Sequence, residues 1–139
     1  MIKRHNCLHI LYKMNSIQIR FTAFTLCVAT RASFAYIAKT TSADILKKMG
    51  YVALIPASTM FYIYITGSRK EGPEVLGGKL WWNNLRPIHA LCYYLFGFSA
   101  INGYSTVAWQ FLALDVTIGL SGFLINHFVE GNFSKLFNF

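Results

Sequence analysis

Charge is scarce in this chain, and acidic charge is the scarcest. Asp, Glu, Lys and Arg make up 13% of the residues, while 55% are apolar and 17% aromatic, a balance poorer in charge than that of soluble domains. Three cysteines, Cys7, Cys27 and Cys92, are odd in number and widely spaced. With neither a CxxC nor a Cys/His zinc pattern around them, they read as small buried apolar side chains and not as metal ligands. The glycines of residues 67–79 follow no strand and precede no GK[ST], which leaves a phosphate cradle a very weak reading. No G-x-S-x-G or Cys/His signature accompanies Cys92 or Ser99, so no catalytic residue is assigned.

What the chain does have is apolar blocks with basic flanks. Thirteen Lys and Arg against five Asp and Glu leave a net charge of +8. They border the apolar blocks instead of forming a stripe with interleaved aromatics. That pattern favours anionic lipid headgroups as the partner, with a homo-oligomer or other membrane proteins beside them, and speaks against nucleic acid.

The stretch GGKLWWNNLRPIHALCYYLFGFSAIN, residues 77–102, has the pattern of a helix entering a bilayer. Lys79, Trp81, Trp82 and Arg86 form an interfacial collar, and Pro87 suits a first helical turn. About 20 residues at roughly 1.5 Å each cross the hydrocarbon core. On that measure four spans are expected, near residues 17–38, 49–67, 86–102 and 104–128, in an all-α, up-down-up-down four-helix bundle. Residues 1–16 form a basic amphipathic lead-in, within which Met14 offers a second start. Residues 129–139 form an amphipathic tail.

The first span is the weakest, because it contains Arg20 and Arg31. A secretory signal peptide ending at Ser33-Phe34-Ala35 is the rival reading, and two arginines in its apolar region argue against it. Between the first two spans, Thr41 or Ser42 suits an N-cap, Asp44 a first turn, and Gly50 the stop of a short helix. Pro56 should kink the second span. Asn102-Gly103 is a tight turn that sets the third and fourth helices antiparallel. Along the fourth, Ala108, Asp115, Gly119, Gly122 and Asn126 share one face, which in lipid turns toward other helices. The first span offers a matching seam in Arg20, Cys27, Arg31 and Ala38.

Asp115 lies near the middle of the fourth span, where a carboxylate costs roughly 2.5 to 3.5 kcal/mol on insertion scales and needs a partner. Arg31 is the expected one. Counted from the far membrane face, the two differ in depth by roughly 6 Å, which an arginine side chain bridges. A buried pair fixing helix register is the favoured meaning, and an ion or proton conduit the alternative, since the spans hold no second acidic residue for a relay. His89 and His127 are expected near one membrane face, where two facing histidines would ligate a haem or a metal in a membrane redox protein or other enzyme. The pair stands alone, so no cofactor is expected.

The phrases RASFAYIAK, MGYVALIPA, TGSRKEGPEV, GGKLWWNNLRPIHALCYYLF and LALDVTIGLSGFLINH resemble small uncharacterised multi-spanning membrane proteins of large DNA viruses of algae and protists and related marine environmental sequences. The resemblance covers roughly residues 20–127. It implies a membrane protein in a viral or virus-modified host membrane and carries over no activity and no site residue.

The spans also predict orientation. With four of them, both termini and the 67–86 loop share a side holding Lys3, Arg4, Lys13, Arg20, Arg69, Lys70, Lys79, Arg86 and Lys135. The other side holds Lys39, Lys47 and Lys48. Positive residues are retained in the cytoplasm, so both termini are expected there, and the sequon Asn132-Phe133-Ser134 should escape glycosylation. The expected function is that of a structural or interaction component of a membrane.

Overall fold

The computed structural model describes residues 16–69 and 80–136, and among these every regular element is helical. The helices are α1 (Ser16–Thr40), α2 (Ala43–Thr66), α3 (Arg86–Ile101), α4 (Ser105–Val129) and the short α5 (Asn132–Leu136), with a 3-10 turn, Trp81–Leu85, leading into α3. The lead-in expected over residues 1–15, the 70–79 loop with Lys79, and residues 137–139 lie outside the described residues. Three helices, α1, α2 and α4, are long and apolar enough to cross a membrane. At 16 residues, α3 is shorter than the other three.

The distribution of side-chain size shows what solvent these helices suit. Of the thirteen buried apolar residues among those described, seven are alanine, Ala35, Ala38, Ala53, Ala57, Ala90, Ala100 and Ala108. Large apolar side chains point outward instead, with Leu26, Ile55, Phe98 and Phe128 between 65% and 77% exposed. A protein folding in water buries its large hydrophobes. In lipid, helices associate through small residues that allow close backbone approach, and bulky side chains face the acyl chains. Hydroxyls on α1 are satisfied locally, as the apolar setting requires: Thr22, Thr25, Thr30 and Ser33 each donate to the carbonyl four residues earlier, at 2.8 to 2.9 Å.

Packing runs α1 on α4, α4 on α3, and α3 on α2, whereas α1 and α2, joined by only Thr41 and Ser42, hardly touch. Contacts along each pair step in opposite directions, so each is antiparallel. Between α1 and α4, Lys39 lies over the Trp109 ring, Arg31 meets Asp115, Phe24 stacks on Phe123, and Phe21 reaches His127. Between α2 and α3, Gly50 faces Ala100 and Gly97, and Ser58 hydrogen-bonds Tyr94 at 2.9 Å.

Gly50 does not end a helix. It lies inside α2, where a Cβ would come within 3.0 Å of the Gly97 carbonyl oxygen and the Ala100 methyl, so its missing side chain allows the backbones of α2 and α3 to touch. The second span therefore starts earlier than expected, at Ala43, after Ser42 in extended backbone. The Asn102-Gly103 turn is as expected. With Gly103 at φ 83°, Tyr104 N donates to Ser99 O and Gly103 N to Ala100 O, the paired bonds of a Schellman stop that reverses the chain directly into α4.

At the end holding the α1–α2 link and this turn, the four helices close on one apolar cluster. It includes Ala35, Ala38, Leu46, Phe96, Ala100, Ala108 and Leu112, with Met49, Tyr93, Trp109 and Phe111 packed around it.

Candidate functional site: a cleft backed by an Arg–Asp–His cluster

Away from that closed end, α1 and α2 part. The space between them is a cleft of about 720 Å³, walled by Phe24, Cys27 and Val28 of α1 and by Ile55, Pro56, Thr59, Met60 and Ile63 of α2. Its floor comes from His89 of α3 and from Val116, Gly119 and Phe123 of α4. Arg20, Arg69, Arg86, Trp81, Trp82, His127 and Glu130 line it toward the end where α1 begins and α4 finishes.

Behind the floor sits the most buried charge of the described residues. Asp115, 1% exposed, accepts a hydrogen bond from Arg31 Nη1 at 3.2 Å on Oδ2, and its Oδ1 lies 2.5 Å from His89 Nδ1. A carboxylate can only accept, which places the shared proton on Nδ1 and leaves Nε2 as the ring's second polar atom. The 3.5 Å approach of Arg31 Nη1 to His89 Nδ1 is then the meeting of two donors on one acceptor group. Each carboxylate oxygen thus has a partner from a different helix, and the cluster ties α1, α3 and α4 together. Gly119 lies against it, and a Cβ there would be in ordinary contact, 3.4 Å from His89 Cε1 and 3.8 Å from Arg31 Nη1.

The structure therefore brings Arg31 and Asp115 together and adds His89 to them. It does not pair His89 with His127. The His89 imidazole lies against Gly119, eight residues before His127 and so about 12 Å from it along α4. His127 has its own surroundings: Asn132 Nδ2 at 2.9 Å from Nδ1, and the rings of Phe21, Phe123 and Trp81. His89 was expected at a membrane face because its depth was counted from the start of α3. Counted from the Asn102-Gly103 turn, His89 and Asp115 lie at nearly the same depth, a signal that was present in the spacing.

Arg86 also departs from its expected role as a headgroup anchor. It is buried, and Nη1 donates to Asn83 Oδ1 at 2.8 Å and to the Arg69 carbonyl at 2.9 Å, so it clasps the end of α2 to the 3-10 turn. Trp81 and Trp82 are half-buried, edge to face with centroids 5.4 Å apart. Leu85 and Trp81 rest on Gly122, where a Cβ would meet Leu85 Cδ1 at 2.9 Å. Cys27, expected to be buried, is exposed, while Cys92 is buried. No group of three or more His, Cys, Asp and Glu side chains fit to hold a metal occurs among the described residues.

No protein-family model, curated protein or solved structure matches this chain.

Proposed function

We propose that this chain is an integral membrane protein that crosses the bilayer four times, with both termini cytoplasmic, and that its role is one of interaction: the cleft between α1 and α2 receives a component of the membrane. The resemblance noted above supports a viral or virus-modified membrane as its setting. The four crossings are supported by the antiparallel registers. With α1, α2 and α4 as spans, α2 ends at the opposite side from the start of α4, so the intervening chain must recross. The 3-10 turn and α3 together supply about 34 Å for a core of about 30 Å.

The observation that carries the interaction reading is the parting of α1 and α2. Two apolar helices joined by two residues would be expected to pack together, yet these leave a space of about 720 Å³, within the size range of ligand pockets. The Arg31–Asp115–His89 cluster holds α1 against α4 and α3 from behind, and so helps to keep the space open. Cys27 on the α1 wall is a natural reporter. In native membranes its alkylation by N-ethylmaleimide, read by peptide mapping apart from Cys7 and Cys92, should be several-fold slower than in the delipidated, detergent-purified protein. Equal rates would show that nothing occupies the cleft.

Proton transfer is the second reading, favoured by the Asp115–His89 contact. A carboxylate on Nδ1 orients the ring and stabilises its cation, the arrangement a proton-accepting histidine uses. If so, His89→Gln should abolish proton flux in reconstituted vesicles while leaving the fold intact.

A further inference from the structure

We infer that the occupant of the cleft is a single anionic phospholipid, with its phosphate at the wide end near Arg20 and one acyl chain lying along the α2 wall; this rests on the interaction reading above. Three features of the cleft match the three parts of such a molecule.

The first is polarity arranged by depth. Arg20 stands near the start of α1, Arg69 just past the end of α2, and Trp81 and Trp82 just before α3. These positions are at one level of the bundle, shared with Glu130, whose carboxylate accepts from Asn132 Nδ2 at 2.6 Å, and arginine with tryptophan is the pairing that suits a headgroup layer. Further in, the α2 wall is Ile55, Pro56, Thr59, Met60 and Ile63, with Val28 opposite. Thr59 turns its hydroxyl to the Ile55 carbonyl at 2.9 Å, so this wall presents hydrocarbon to the cleft.

The second is the state of the inner end. Arg31 and His89 would repel an acyl chain if their polar groups stood unpaired, but both engage Asp115. The Arg31 side chain is 25% exposed, and with its guanidinium turned to the carboxylate the methylene stem can cover apolar surface. The cluster thus pairs the deep polar groups with one another, so that the inner end can adjoin an acyl chain.

The third is size and access. The volume suits one chain and a phosphate better than two chains, and the cleft lies between two helices whose outer faces are apolar, so the second chain can remain in the bilayer. A soluble phosphate would gain nothing from the Ile55 to Ile63 wall, and a neutral lipid would gain nothing from Arg20.

The test uses the full chain in nanodiscs of phosphatidylcholine, with and without phosphatidylglycerol. Native mass spectrometry should find one phosphatidylglycerol retained in preference to phosphatidylcholine, and the alkylation of Cys27 should slow several-fold when phosphatidylglycerol is present. Arg20→Gln should reduce the preference about five-fold, the equivalent of about 1 kcal/mol for one basic residue at a membrane surface. Ala23 of α1 also lines the cleft, and Ala23→Trp, which puts an indole there, should abolish retention while both variants keep the wild-type helical content. Equal retention of the two lipids, with Cys27 equally reactive in both discs but shielded in native membranes, would overturn the lipid assignment and leave the interaction reading standing with a different occupant. Free reactivity of Cys27 in native membranes as well would overturn both.

Discussion

The two ends of this bundle are made by the same four helices and solve opposite problems. At the closed end, alanines and glycines allow backbones to touch: Gly50 faces Gly97, and Ala35, Ala38, Ala100 and Ala108 fill the space with Leu46, Phe96 and Leu112. At the open end the filling groups are aromatic and cationic, with Phe21, Phe123 and Trp81 around His127, Phe24 stacked on Phe123, and arginines on the rim. Small side chains bring helices together, whereas rings and guanidinium groups hold them apart. On the interaction reading the closed end is the rigid part and the open end the receiving part, with the Arg31–Asp115–His89 cluster at the boundary between them.

The largest effect should come from that boundary. Arg31→Leu or Asp115→Leu alone leaves a buried charge without its partner, at a cost of about 3–5 kcal/mol. The double substitution should recover part of the loss, although His89 then lacks its acceptor. Unfolding of the four proteins in detergent gives the coupling. Losses that simply add would mean that the two side chains act independently and that the boundary is not a unit.

A smaller effect separates the closed end from the boundary cluster by their glycines. At Gly50 the atoms that a methyl group would meet at 3.0 Å include a backbone carbonyl oxygen, whereas at Gly119 the nearest atom is the edge of an imidazole at 3.4 Å. Gly50→Ala should therefore cost about 1–3 kcal/mol through overpacking. Gly119→Ala should be close to neutral, since its crowding is offset by the helix propensity gained, up to about 1 kcal/mol. If Gly119→Ala proved the more damaging of the two, the boundary and not the closed end would be the more tightly packed region.

Much of this arrangement could be read from the residues, for identifiable reasons. Apolar length and basic flanks located the helices, because those properties belong to single segments. The Asn102-Gly103 reversal was legible because a glycine stop is local chemistry. The Arg31–Asp115 contact followed from two ionisable residues in apolar segments and the requirement that each find a partner. The α2–α3 contact was missed, since Gly50 read alone resembles a stop; its spacing to Ala53 and Ala57 marks it as a helix face, but only a partner helix distinguishes the two. Arg86 was assigned to the headgroups for the same reason, as its clasp on the Arg69 carbonyl is a long-range contact. The cleft was not legible at all: it arises from α1 and α2 failing to pack, which no pattern within either helix expresses.

The smallest expected effect is an absence of change, and it tests which end faces the cytoplasm. On the four-span reading, which places Lys3, Arg4, Lys13, Lys70, Lys79 and Lys135 on the side of Arg20, Arg69 and Arg86, the open end carries the excess of Lys and Arg that is retained in the cytoplasm. Asn132 is a poor reporter despite its sequon, because it lies just beyond α4 and is buried with its side chain on His127 and Glu130. A sequon on a flexible C-terminal extension avoids that shielding. Expressed in a eukaryotic secretory system, the extended protein should show no glycosidase-sensitive mass. Removing residues 1–40 takes away one crossing and places the two termini on opposite sides; because Arg69, Lys70, Lys79 and Arg86 still hold the 67–86 loop in the cytoplasm, the C-terminal extension should stay unmodified while a sequon added at the new N-terminus should gain a sugar. Sugar on the full-length protein would turn the open end toward the lumen, and the arginine-lined rim would then face the leaflet poorer in anionic lipid.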